Sequence, residues 1–476
     1  MTELNAAATE VELEIQDLSH DGRGIGRLDG RVVFVDGALP GDRVVARLLP
    51  QRRRQLHADL RRILQPSPQR RRAPCILADH CGGCSLQPFT DEGQQQWKQR
   101  SLEQSLQRIA GLNPEVRPLL TSDRPLGYRN RAVIPLERGE DGHLKAGYYR
   151  RGSHRIVNMN RCPVLDPRID RLIAPLKRDL ETSDWPVDRH GLSEGGLKHL
   201  ALRVGHHTGE VLITLIASHQ EFEGLTAMAE SWLERWPEVV GVSLNLQPRP
   251  TNQLFGRHTL TLAGRGWLSE TFAGLDYRIG ADTFFQVHTT QAERLVPLLL
   301  QGLAAAQDQT TSPDQGNSSA QEPNPASPSG SGVVLDAFCG IGTFSLPLAA
   351  AGWTVHGIEQ HAPAVELARL NAEGNDLSDR ATFETSTVAI ALPALLDSAE
   401  ALLLDPPRKG LEAPVLAAIL ACPPRRLLYL SCDPATLSRD LGLLCAEVYT
   451  TRSVQPIDFF PNTSHIEALA VLDRRD

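Results

Sequence analysis

Beyond residue 332 the chain alternates short apolar runs with helix-like ones: GVVLDAF, PLAAAGW, TVHGIEQ, APAVELARLNAEG, ALLLDPP, APVLAAILA and RRLLYLSC. Strands and helices that alternate in this way specify a doubly wound parallel sheet, an α/β fold. In such a sheet ligands bind beyond the carboxyl ends of the strands. The residues that follow each apolar run are therefore the first candidates for chemistry.

Three of these strand ends carry a signal. In DAFCGIGTFSLPLA, Asp336 closes the strand, and Gly340 and Gly342 permit a tight turn that lets backbone approach a ligand. Glu359 in VHGIEQ follows Gly340 by 19 residues at the end of the next strand. There a carboxylate can accept both hydroxyls of a ribose. The third glycine of a dinucleotide fingerprint is missing, Ser345 standing in its place. The pattern therefore favours S-adenosylmethionine, which has a ribose and no pyrophosphate. In LLLDPPRKGLE, Asp405 ends an apolar strand, and Pro406 and Pro407 stiffen its exit toward the same crevice.

The fourth strand end, LLYLSCDPATLSRDL, places Cys432 at the crevice and at the start of a helix, where the helix dipole is expected to raise its thiolate fraction. A cysteine beside a transferable methyl has a defined use. A pyrimidine C5 is too poor a nucleophile to attack a sulfonium methyl unaided, whereas a thiolate added at C6 turns the ring into an enolate that is nucleophilic at C5. The C5 proton must then be removed, which requires a base. Glu467 in PIDFFPNTSHIEALAVL is the candidate, with His465 as the alternative.

The rest of the chain is different in character. Residues 11–65 alternate polar and apolar positions between Gly-rich turns, as a small antiparallel barrel does. The net charge of −8 conceals an uneven distribution: ten arginines between Arg43 and Arg72 face one acid, Asp59, so this stretch carries +9. Such a stretch reads as a phosphate-contacting face. Residues 307–332 are rich in Ser, Pro, Gln and Asn and nearly free of apolar side chains, which predicts a disordered insertion. CILADHCGGC sets Cys75, Cys81 and Cys84 close together, and Cys162 in NRCPVL is a plausible fourth ligand. Four thiolates suit either an iron–sulfur cluster or a structural zinc. The eight cysteines are too sparse for a disulfide scaffold, and no run approaches the ~20 apolar residues that span a bilayer. A soluble, cytoplasmic, monomeric protein with no membrane partner is expected. The domains are read as 1–66 (barrel), 67–276 (mixed α+β, with the cysteine group) and 277–476 (doubly wound).

Taken together, DAFCGIGTF, LLLDPPRKGL, YLSCDPATLSRDL and FPNTSHIE resemble the RNA uracil-5-methyltransferase family, and the arginine-bearing barrel resembles that family's TRAM domain, an OB-like RNA-binding module. The resemblance spans nearly the whole chain. It implies Cys432 as nucleophile, Glu467 as base and Asp405 as a polar contact in the active site and to the cofactor. It also implies methyl-donor contacts by Gln286, Phe338, Thr343, Glu359 and Ser386, and a 4Fe-4S cluster on Cys75, Cys81, Cys84 and Cys162. The chain departs from the family pattern at His288, Thr343 and Asp433, where asparagine is usual. A looped or single-stranded RNA would let one base swing into the pocket. Ribosomal RNA, 23S in particular, is the implied substrate, with transfer RNA the nearest alternative. Two other readings stand beside it: an exocyclic-amine methyltransferase, since DPPR is reminiscent of the turn used there, and a non-catalytic RNA-binding assembly factor.

Overall fold

The computed structural model describes residues 9–50, 55–139, 141–188, 195–251, 253–304 and 332–476. The stretch 307–332 expected to be a disordered insertion lies, apart from Gly332, outside the described residues.

The C-terminal sheet has seven strands in the order Ala381–Thr385, Thr354–Glu359, Val333–Ala337, Ala401–Leu404, Arg426–Ser431, Glu467–Arg474, Tyr449–Ile457. The first five run parallel, and the last two close the edge in antiparallel fashion. Strand order reverses on either side of Val333–Ala337, which puts a crevice at the carboxyl end of that strand. The strands are apolar on both faces because helices cover both: Leu335, Leu402 and Leu427 pack on one side, Val334, Leu403 and Leu428 on the other. The alternating pattern of the sequence thus folds into the doubly wound sheet expected of it.

Six strands between Glu10 and Gln65 form one sheet around Leu13, Ile15, Val33, Val35, Val44 and Ala46, all buried, which is the OB-like barrel. The central region is a second six-stranded mixed sheet backed by helices Pro167–Thr182 and Leu225–Arg235. Helix Asp91–Ser105 starts at Thr90, whose hydroxyl oxygen accepts from the Gly93 N–H at 3.2 Å. It does not stay with the central sheet. It packs beside helix Pro434–Glu447, while residues 116–120 bridge onto strand Tyr449–Ile457. The N-terminal half is thereby laid against the edge strand of the C-terminal sheet, and residues of both halves line one cavity.

Candidate active site

The glycine turn is built as the sequence suggests. Phe338, Gly340 and Gly342 all have positive φ, at 71°, 57° and 81°. A Cβ on Gly340 would meet nothing within 4 Å, so the turn faces open space, whereas one on Gly342 would press on Phe383 at 3.1 Å. The Gly340 N–H donates to Glu359 Oε2 at 3.3 Å, and the His361 N–H donates to Oε1 at 2.8 Å. Glu359 is thus aimed at the crevice by the turn it serves. Asp336, fully buried, accepts from Ser345 Oγ at 2.5 Å, and burial together with Glu359 pushes its carboxyl up to about 7. Beside this turn lies a cavity of about 230 Å³ whose walls include Phe338, Gln360, Thr387, Val388 and Pro407. A slot with both apolar walls (Phe338, Val388, Pro407) and polar ones (Gln360, Thr387), next to a carboxylate and an unobstructed glycine, fits an adenosine well.

Cys432, Glu467 and Asp405 come together at three neighbouring strand ends. Cys432 follows Arg426–Ser431, Asp405 follows Ala401–Leu404, and Glu467 opens the antiparallel strand paired to the first of these. Asp405 is tied to the glycine-turn strand by its N–H, which donates to the Ala337 carbonyl at 3.3 Å. Burial, then Glu467 and Asp405, push the Cys432 thiol up to about 12; Arg408 opposes them. Burial likewise lifts Glu467 to about 7, again with Arg408 opposing. Asp405 is raised by burial, then by Glu467 and Asp336.

These fields correct one expectation. Helix Pro434–Glu447 does begin at Cys432's neighbour, with Asp433 capping it by accepting from the N–H groups of Ala435 and Thr436 at 3.0 and 2.8 Å. A helix terminus contributes about 0.3–1 kcal/mol, less than one pH unit, and two carboxylates in a desolvated crevice outweigh it. In the free protein the thiol is therefore protonated near neutral pH.

Cys432 also lines a second cavity, of about 650 Å³. Its walls come from the barrel (Arg23, Asp36), the cysteine loop (Gly83), helix Asp91–Ser105 (Trp97) and the segment Thr463–Ile466. His465 stands on this wall, its Nε2 at 3.2 Å from Arg408 Nη2, and burial followed by Arg408 pushes it down to about 4.

The remaining predicted residues are distributed around this core. Phe338 lines the smaller cavity, and the Ser386 N–H donates to the Glu359 carbonyl at 3.0 Å. Thr343 is buried in the glycine turn, where its carbonyl accepts from Tyr277 Oη at 3.2 Å. Gln286 is buried, and its carbonyl accepts from Asn130 Nδ2 at 2.9 Å; it lines neither cavity. His288, two residues on, packs edge-on to Tyr128 with its Nε2 at 3.3 Å from Ser122 Oγ, away from the glycine turn. Arg408 is the residue that sequence reasoning missed. The signal was present, since it belongs to the DPPRKGL stretch quoted for Asp405.

The four cysteines of the second group share one neighbourhood. The field of Cys81 and Cys75 acts on Cys84, and Cys84 acts in turn on Cys162. Each sulfur has a donor: the Leu77 N–H on Cys75 and the Gly83 N–H on Cys81, both at 3.4 Å, the Gln87 side chain on Cys84 and the Val164 N–H on Cys162. Yet among the described residues no three His, Cys, Asp or Glu side chains stand in a metal-holding arrangement. The thiols are gathered without closing into a ligand set.

The arginine stretch is less exposed in charge than its composition implies. Arg43 pairs with Glu12 at 2.9 Å, Arg47 with Asp59 at 3.2 Å, Arg70 with the buried Asp42 at 2.5 Å and Arg71 with Asp91 at 2.9 Å. Arg52, Arg53 and Arg54 lie outside the described residues, which leaves Arg61, Arg62 and Arg72 as exposed guanidinium groups with no ion pair among the described residues.

Comparison with known proteins agrees with this geometry. Residues 327–475 match the family described as tRNA (Uracil-5-)-methyltransferase, and residues 8–60 match the TRAM domain. An uncharacterized RNA methyltransferase of Parasynechococcus marenigrum is 47% identical over 467 residues, covering 98% of this chain and 95% of the relative. The chain belongs to the RNA uracil-5-methyltransferase family. A second uncharacterized RNA methyltransferase, from Synechocystis, is 42% identical and covers 99% of both chains. Among solved structures, the Pyrococcus abyssi tRNA (uracil-54, C5)-methyltransferase in complex with S-adenosyl-L-homocysteine superposes with a TM-score of 0.72 at 24% identity, over 97% of this chain and all of that one. The protein is thus an S-adenosylmethionine-dependent RNA uracil-5-methyltransferase with a TRAM domain and an RNA partner. The exocyclic-amine and non-catalytic readings fall away.

Proposed function

We propose that the enzyme methylates C5 of a uridine in 23S ribosomal RNA, acting as a monomer, with Cys432 as nucleophile, Glu467 as base and Asp405 as the polar group between them and the cofactor turn. The observation that carries this reading is the convergence of these three side chains in one desolvated field, with Cys432 on the wall of the cavity the barrel also lines. Cys432 loses its proton to solvent in the cavity it lines, and its thiolate bonds C6 while the C5–C6 π electrons move to C5, which becomes nucleophilic. S-adenosylmethionine supplies the methyl group, and Glu359, Phe338, Thr343, Ser386, Asp405 and Gln286 are the residues proposed to hold it. Glu467 takes the C5 proton, the C–H electrons form the C5–C6 double bond, and the Cys432 thiolate leaves. Asp405, whose carboxyl is raised by burial and then by Glu467 and Asp336, is the polar group that hydrogen-bonds the ring.

Transfer RNA is the second reading, favoured by the likeness over 97% of the chain to an enzyme that acts on uracil-54 of tRNA. Mass mapping of 5-methyluridine in both RNAs, from a strain lacking the protein and after restoring it, decides between them. A methyl absent from 23S RNA and restored by the wild type, but not by Cys432→Ala, is the expected result. A methyl absent only from tRNA transfers the proposal to that substrate.

We further propose that Cys75, Cys81, Cys84 and Cys162 hold a 4Fe-4S cluster of structural function. The donor on every sulfur and the shared field support this, because such hydrogen bonds stabilise metal-bound thiolates. Iron and sulfide analysis of anaerobically purified protein tests it; zinc in their place, or no metal, contradicts it.

A further inference from the structure

The segment 458–466, which delivers Glu467, is held from outside the sheet to which Glu467 belongs. Lys98, fully buried in helix Asp91–Ser105, donates to Asp458 Oδ1 at 2.7 Å and to the Phe460 carbonyl at 2.9 Å. Tyr128 Oη donates to the Pro461 carbonyl at 3.2 Å, and the Ser464 N–H donates to Ser85 Oγ at 3.1 Å.

Asn462 is the centre of this attachment. It has no exposed surface, and every polar group it owns is engaged. Its N–H donates to Gln94 Oε1 at 2.8 Å, and its carbonyl accepts from the Leu86 N–H at 2.9 Å. Its Nδ2 donates to the Pro125 carbonyl at 2.7 Å, and its Oδ1 accepts from Arg71 Nη2 at 2.9 Å and from Gln94 Nε2 at 3.4 Å. Four separate stretches of the chain therefore meet on one residue, three of them on its side chain: the post-barrel linker, helix Asp91–Ser105 and the turn at Pro125, with the loop that follows Cys84 on its carbonyl. Its φ of 67° lies in the left-handed region, which asparagine tolerates better than other side chains. Asparagine alone combines that tolerance with a donor and an acceptor at one branch point.

We propose that Asn462 is a positioning residue for the release half of the reaction: it fixes the 458–466 segment so that Glu467 faces C5 of the bound uridine. The proposal rests on the reading of Glu467 as the base. Cys432 is carried by strand Arg426–Ser431 and helix Pro434–Glu447, and among the described residues no hydrogen bond of Asn462 goes to either. Loosening the segment therefore leaves thiolate attack and methyl transfer intact and misplaces the group that takes the C5 proton. A displacement of about 1 Å at such a group costs roughly 10²-fold. Until that proton leaves, C5 cannot form its double bond to C6 and the sulfur cannot be expelled. The methylated RNA stays bonded to Cys432.

The test uses the full-length enzyme, methyl-labelled donor and total RNA from a strain lacking the protein. After a denaturing quench and nuclease digestion, label that migrates with the protein reports the methylated covalent adduct. Asn462→Asp keeps the acceptor and the backbone tolerance but sets a carboxylate oxygen against the Pro125 carbonyl. Gln94→Met removes the same anchor from the helix side and serves if Asn462→Asp fails to fold, as judged by S-adenosylmethionine binding. Both variants are expected to accumulate at least about fivefold more adduct than the wild type, as Glu467→Gln does, while in these two variants the rate of adduct appearance and cofactor affinity stay within about twofold. Adduct accumulation in Glu467→Gln but in neither variant overturns the positioning role alone. Absence of accumulation in Glu467→Gln overturns the base assignment and the positioning role with it.

Discussion

Cys432 and the group Cys75, Cys81, Cys84 and Cys162 are both gathered at turns on the same side of the molecule, and burial raises the Cys432, Cys84 and Cys162 thiols to about 12, 11 and 12. The surroundings distinguish them. Cys432 sits among carboxylates, with Glu467 and Asp405 next to it and Arg408 as the opposing cation. The thiols of the four-cysteine group disfavour one another's ionisation, Arg151 and Arg129 oppose this at Cys81 and Cys84, and each sulfur has a hydrogen-bond donor. A thiol among acids is suited to give its proton up once and take it back. Thiols among donors are suited to lose their protons for good to a cation. Similar burial thus supports opposite chemistry, decided by the second partner.

The sharpest way to break this contrast is to remove one sulfur from each side. Cys432→Ala is expected to lower kcat by at least about 10³-fold while leaving cofactor affinity within about twofold, measured by methyl transfer and calorimetry. Cys81→Ser is expected to lower iron content and to cost roughly 10–100-fold in activity through the loop it anchors. Equal losses of cofactor binding in both variants would erase the distinction.

A second prediction separates catalysis from stability. Glu467 has its carboxyl raised from 4.5 to about 7. Below pH 4.5 it is protonated folded and unfolded alike and contributes nothing. As pH rises through this window the unfolded chain ionises first, so folding stability falls, by up to about 3 kcal/mol above pH 7. Glu467→Gln escapes that loss: it should be more stable than the wild type at pH 8 by about that amount in denaturant unfolding, with no advantage at pH 4. For the wild type, kcat should rise with pH toward and beyond 7, because the base must be ionised and the Cys432 thiol deprotonated.

The smallest expected effect concerns Arg408, the cation that tempers both groups. Arg408→Gln should move the pH–rate profile to higher pH and reduce the rate at pH 7 by about three- to tenfold. An unmoved profile would mean that Arg408 does not set the field at Cys432.

The doubly wound sheet and its strand-end residues were legible because strand ends and turns are local in sequence. Asp336, Gly340, Glu359, Asp405 and Cys432 sit where an apolar run stops, and Glu467 where one starts. What escaped depends on long-range contact. The ion pairs that absorb Arg43, Arg70 and Arg71 come from Glu12, Asp42 and Asp91, two of them far away in sequence. The raised Cys432 thiol could not be foreseen from its helix, since it comes first from burial and then from carboxylates that lie 27 residues before and 35 after it. Asn462 was quoted as part of a motif, but its role emerges only where residues 71, 86, 94 and 125 close around it.

The account turns on a bond between Cys432 sulfur and the uracil ring. Wild-type enzyme incubated with cofactor and RNA transcribed with 5-fluorouridine should become trapped as a denaturant-resistant protein–RNA complex, because fluorine at C5 cannot leave as a proton, and Cys432→Ala should form none. Efficient methylation of ordinary RNA with no trapping of the fluorinated RNA would contradict it.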